Sequence, residues 1–149
     1  MLIAVLALSA CGDDKSDPAP RPTVSVDAAC AKVVRELRQV PVFHQGEGQD
    51  ASLKELARAF SDGTDALRSS SGAAKALGAA FNDTALLAAE MAVGERQPSP
   101  GSDVELNRRA ARGIASVERA IARVGVSQCE PIPALTRARL RASKLPTLG

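Results

Sequence analysis

The chain has 149 residues, 45% of them hydrophobic but only 2% aromatic, with three Phe, no Trp or Tyr, and a formal net charge of +2. Such a length excludes two full domains and allows one modest core plus tails, while an apolar fraction drawn largely from Ala argues for helices, since the β-branched and aromatic residues that favour strands are sparse. Charge is unevenly laid out: up to Pro100 there are 10 basic and 13 acidic side chains, and from Gly101 onward 9 basic and 4 acidic, so the last third is the basic part.

Leu2 to Ala10 form an almost wholly apolar run, shorter than the roughly 20 residues that a membrane-spanning helix needs. It closes with Leu8, Ser9 and Ala10 directly before Cys11. An aliphatic residue and two small ones ahead of a cysteine resemble the lipobox of bacterial lipoprotein signal peptides. The resemblance covers the N-terminus alone. It implies that residues 1–10 are a cleaved signal and that Cys11 carries a lipid and becomes the first residue of the mature protein. It also implies that the chain is held on the extracytoplasmic face of a bacterial cell membrane. A diacylglyceryl group grips a bilayer far better than a single myristoyl chain.

Residues 11–26 hold Asp13, Asp14, Asp17, Pro18, Pro20 and Pro22; Pro-rich stretches tend to be extended, and this one reads as a tether. With Cys11 acylated, Cys30 and Cys129 remain as an even pair in an oxidising setting, where a disulfide is the expected state. Two free buried thiols are the alternative. Neither cysteine has a second Cys or a His at zinc or redox spacing.

The segment 27–130 reads as a helical bundle domain. Asp27 is a candidate N-cap, and Cys30, Val33, Val34, Leu37 and Val40 recur at three- and four-residue steps, with Lys32, Arg35, Glu36 and Arg38 on the other, solvated face and Pro41 ending the helix. The loop that follows holds Phe43 and the chain's one histidine, His44; no second His or flanking acid makes it more than a loop residue. A second helix opens at Asp50 or Ser52, where Ser52 and Glu55 have capping-box spacing, and Leu53, Leu56, Ala57, Phe60 and Leu67 form its stripe. Ser69 to Gly72 read as a turn before Leu77, Phe81, Thr84, Ala88 and Met91, a helix stopped by Gly94 and Pro98.

Periodicity also allows one unbroken helix over 52–93, because Phe60, Leu67, Ala74, Phe81 and Ala88 are seven apart. The cysteines decide between the two. Ser102 and Glu105 open a last long helix with Leu106, Ala110, Ile114, Val117, Ile121 and Val124 inside and Gly125 as its stop, so Cys30 begins the first helix and Cys129 follows the last. With three antiparallel helices the sulfurs would lie about 20 to 30 Å apart, whereas a disulfide needs Cα atoms within about 7 Å. An up-and-down four-helix bundle is therefore the self-consistent architecture.

Residues 131–149 form a basic C-terminal segment in which the stretch from Ala134 to Leu145 carries Arg137, Arg139, Arg141 and Lys144, with Leu135, Ala138, Ala142 and Leu145 at helical spacing. A short fifth helix docked on the bundle, a segment lying on anionic headgroups, and a disordered tail are all compatible with that pattern.

Two kinds of site emerge. Arg108, Arg112, Arg119 and Arg123 cluster within about 60° on the outer face of the last long helix, a ridge that would attract polyanions such as phospholipid headgroups or that is simply solvated. A gap lined by Leu77, Phe81, Ile114 and Ile121 would suit an apolar ligand. Paired catalytic residues, phosphate loops, metal-ligand spacing and haem attachment are missing from the sequence, and no aromatics accompany the arginines as nucleic-acid binding would require. The expectation is a non-enzymatic, cofactor-free envelope lipoprotein that meets the membrane through Cys11 and an envelope protein as partner, with a small apolar carrier as the alternative.

Overall fold

The computed structural model of the chain describes residues 24–42, 49–94 and 102–142. Five α-helices form: α1 (Val26–Gln39), α2 (Gln49–Ala66), α3 (Gly72–Gly94), α4 (Ser102–Val124) and α5 (Pro131–Ala142), with one 3₁₀ turn at Ser127–Cys129 and no strand among the described residues. No described helix is long and apolar enough to cross a membrane.

Helices α1 to α4 make the expected antiparallel up-and-down bundle, and α5 completes it. Lys32 of α1 meets Asp62 of α2 at 2.9 Å, Phe60 of α2 packs on Phe81 of α3 with ring centroids 5.5 Å apart, and Glu90 of α3 pairs with Arg109 of α4. Cys30 and Cys129 come to the same end of the bundle and form a disulfide with a Cα–Cα distance of 5.0 Å. The break between α2 and α3 is the one that the disulfide requires. Ser70 N–H donates to the Leu67 carbonyl at 3.0 Å, and the turn leaves through Gly72 at φ +56°, a conformation natural to glycine.

The fifth helix docks between α1 and α4. It runs antiparallel to α4, where Arg137 reaches Glu118, and parallel to α1, where Arg139 reaches the Leu37 carbonyl. Its start differs from expectation. The helix opens at Pro131 rather than Ala134, because proline is tolerated in a first turn, where N–H groups have no intrahelical acceptor. Its inner face is Ile132, Thr136 and Leu140, while Ala138 is exposed. Thr136 is buried at little cost because its hydroxyl donates to the Ile132 carbonyl at 2.7 Å.

The start of α1 also differs, and α2 opens at Gln49, next to Asp50 rather than at Ser52. Ser25, not Asp27, caps α1, its side chain accepting from Ala28 N–H at 3.2 Å, and Asp27 sits in the first turn, where it complements the helix dipole. Ser52 lies inside α2 and donates its hydroxyl to the Pro41 carbonyl at 2.8 Å, tying α2 to the end of α1. At its other end α4 stops at Gly125, φ +67°, whose N–H closes on the Ile121 carbonyl at 2.9 Å.

The core runs the length of the bundle. Phe60, Phe81, Leu37, Leu53, Leu56, Leu67, Leu77 and Ile132 are its largest fully buried side chains. Close approach is set at Gly63, where an added Cβ would lie 2.5 Å from Val33 Cγ2 and 2.9 Å from Phe81 Cδ2. Glycine there lets α1, α2 and α3 meet at one level.

Candidate functional site

The predicted arginine ridge lies on α4 with all four side chains exposed, but its charge is not uniform. Glu105 accepts from Arg108 at 3.3 Å and from Arg112 at 3.1 Å. One carboxylate is thus shared by two guanidinium groups, and the N-terminal half of the ridge is only half neutralised. Arg119 and Arg123 have no acidic partner among the described residues, leaving two cations toward the C-terminal end of α4.

Sequence reasoning missed Arg109. Its fork sets both terminal nitrogens 2.6 Å from the two Glu90 oxygens, joining α4 to α3. That hydrogen bonding holds the Glu90 carboxyl below its ordinary range and raises the guanidinium in turn. On the opposite side of the bundle Lys32 is raised by its hydrogen bond to Asp62, against the opposing effect of partial burial.

The residues of the expected apolar gap are core. Leu77, Phe81 and Ile114 are at most 3% exposed and line none of the surface grooves described here, and Ile121 alone borders one, between α4 and α5. Cys11, His44, Lys144 and Leu145 lie outside the described residues. Among those described, no three of His, Cys, Asp and Glu are grouped to hold a metal ion.

Grooves on the described surface differ in the charged groups that line them. The α3–α4 groove combines Asp83 with Arg109 and Arg112, the α1–α2 groove Glu36 and Glu55 with Arg58, and the α4–α5 groove Glu118 and Glu130 with Arg137. Another, about 390 Å³ between α1 and the start of α5, is lined by Arg35 and Arg38 and by no carboxylate. Sequence reasoning placed these two arginines on a solvated face. Only the docking of α5 turns that face into one wall of a groove.

The bundle is electrically two-sided. Counting Lys and Arg against Asp and Glu over each helix, α4, α5 and α1 carry +2, +3 and +1, whereas α2 and α3 carry −2 and −1. The positive helices are neighbours because α5 sits between the other two. No family model, curated protein or solved structure matches the chain.

Proposed function

We propose that this chain is a lipid-anchored, non-enzymatic lipoprotein of the bacterial envelope whose helical domain is presented on the extracytoplasmic side to an envelope protein. The observation that carries this reading is the use of the cysteines. Cys30 and Cys129 are joined to each other, as is typical of proteins that mature in an oxidising compartment. The remaining thiol, Cys11, is the one that follows Leu8-Ser9-Ala10.

The interaction role is preferred over the apolar carrier because Leu77, Phe81 and Ile114, which a carrier would turn toward its cargo, are spent on core packing. Metabolic labelling with a tritiated fatty acid, followed by membrane fractionation, tests the anchor. The wild-type chain is expected to be labelled and to sediment with membranes, and Cys11→Ala to be unlabelled and released. Equal, label-free behaviour of both overturns the proposal.

A further inference from the structure

The groove between α1 and α5, unlike the α3–α4, α1–α2 and α4–α5 grooves, is lined by arginines without a carboxylate, and that lining defines what it can hold. Arg35 and Arg38 are three residues apart on α1, both are exposed, and neither has an acidic partner among the described residues. Ala31, Val34 and Pro131 supply apolar lining beside them, and Gln39 and Gln128 add two side-chain amides. A third guanidinium, that of Arg139, is fixed beside Arg38 by donating to the Leu37 carbonyl at 3.1 Å and the Arg38 carbonyl at 3.3 Å. Its hydrogen bonds go to neutral acceptors, so its charge is not compensated.

Guanidinium groups present a planar fork that matches phosphate oxygens, and they are less strongly hydrated than ammonium groups, so an anion displaces their water at lower cost. The amides supply further donors. The apolar lining suits a group whose anionic head is joined to something less polar. The surrounding field has the same sign, since the groove lies within the three positively charged helices.

We infer that the α1–α5 groove binds the phosphate of an anionic phospholipid headgroup. The choice of lipid over a free phosphate rests on the anchor reading given above. Twelve residues lie between Cys11 and Val24, the first described residue before α1, and these thirteen steps can span up to roughly 40 Å if extended. Arg38 lies within about 21 Å of Val24 along the helix axis. The tether therefore lets α1 and α5 lie down against the leaflet that holds the anchor.

The test uses the full chain carrying Cys11→Ala, so that vesicle binding cannot come from acylation and failure of the anchor reading stays separate from failure of this one. Co-sedimentation is measured with vesicles of phosphatidylcholine alone and of phosphatidylcholine mixed with phosphatidylglycerol. The expected result is preference for the anionic vesicles. Adding R35A/R38A should cut that partitioning roughly thirtyfold, a factor of about five for each arginine near an anionic surface. R119A/R123A, a control of equal charge on α4, should lose far less. Circular dichroism and an intact disulfide establish that each variant is folded.

Equal binding to both vesicle types, or equal losses in the two double variants, overturns the groove as a lipid site. Saturable shifts of the Arg35 and Arg38 resonances with inorganic phosphate but no vesicle preference overturn the lipid as its ligand. Capture of poly-glutamate in place of vesicles does the same.

Discussion

Arg139 of α5 caps α1: its Nε donates to the Leu37 carbonyl at 3.1 Å, across a sequence separation of 102 residues. The last carbonyls of any helix lack intrahelical donors, and a cation there also opposes the helix dipole. One side chain thus satisfies the end of the first helix and fastens the last one to it. Arg139→Ala is expected to destabilise the fold by about 1 to 2 kcal/mol, the range for a partly exposed hydrogen bond from a charged donor. Arg139→Lys should recover only part of this, since an ammonium cannot reproduce the fork. Urea denaturation of the three proteins reads the order directly.

Glycines at two levels of the bundle should respond with opposite sign. At Gly63 a methyl group would overlap Val33 and Phe81, both fully buried, so Gly63→Ala is expected to cost about 1 to 3 kcal/mol through forced shifts in the core. At Gly113 the nearest atoms are Leu87 Cδ2 at 3.7 Å and Thr84 Oγ1 at 3.8 Å, ordinary contact distances. Gly113→Ala should stabilise by up to about 1 kcal/mol, because alanine in a helix interior loses less backbone freedom on folding. Thermal melts of the two variants check both signs.

Removing the bridge frees a loop that spans most of the folded domain, with cysteines 99 positions apart. On the chain-entropy account such a link contributes up to about 4.7 kcal/mol. The Cys30→Ala/Cys129→Ala double variant should have a markedly lower urea midpoint, and reductant should lower the wild-type midpoint while leaving the variant unmoved. Intact mass before and after reduction should differ by two hydrogen atoms.

Acid should weaken the α3–α4 seam in a definite window. The Glu90 carboxyl is held below its ordinary range by the Arg109 fork, so its contribution is present above the unfolded-state value of about 4.3 and disappears as pH falls through the lower folded-state value. The difference in melting temperature between wild type and Glu90→Gln should therefore persist down to about pH 4.3 and close at more acid pH. A gap that stays constant through this range would show that the pair is not coupled to folding. Both side chains are 40 to 50% exposed, and salt should narrow the gap at neutral pH.

Much of the bundle was legible because its signals are local or arithmetical. Cys30, Val33, Val34, Leu37 and Val40 recur at helical steps and are all buried, and the parity of antiparallel helices located the break before Gly72 from two cysteines alone. The fifth helix starts at Pro131 rather than Ala134 because prolines in a first turn have no intrahelical bond to lose. Its buried face was also misread, since Thr136 does not look like a core residue until its hydroxyl is seen to be satisfied within the helix.

The groove was the least legible part. Arg35 and Arg38 lie about 100 positions from Gln128, Pro131 and Arg139, and no pattern within either segment announces the other. The ridge on α4 was readable as a spacing, but its partial neutralisation depends on which arginines Glu105 reaches, a matter of rotamers rather than of composition.

The parallel seating of α5 against α1 has a consequence for biogenesis. Synthesis proceeds from the amino end, so the wall against which the first helix closes emerges after helices α1 to α4, and Ile132, Thr136 and Leu140 arrive only once those have been made. The covalent clasp has to wait for Cys129, which directly precedes that wall. Closure of the interior is therefore a late step in the making of this domain.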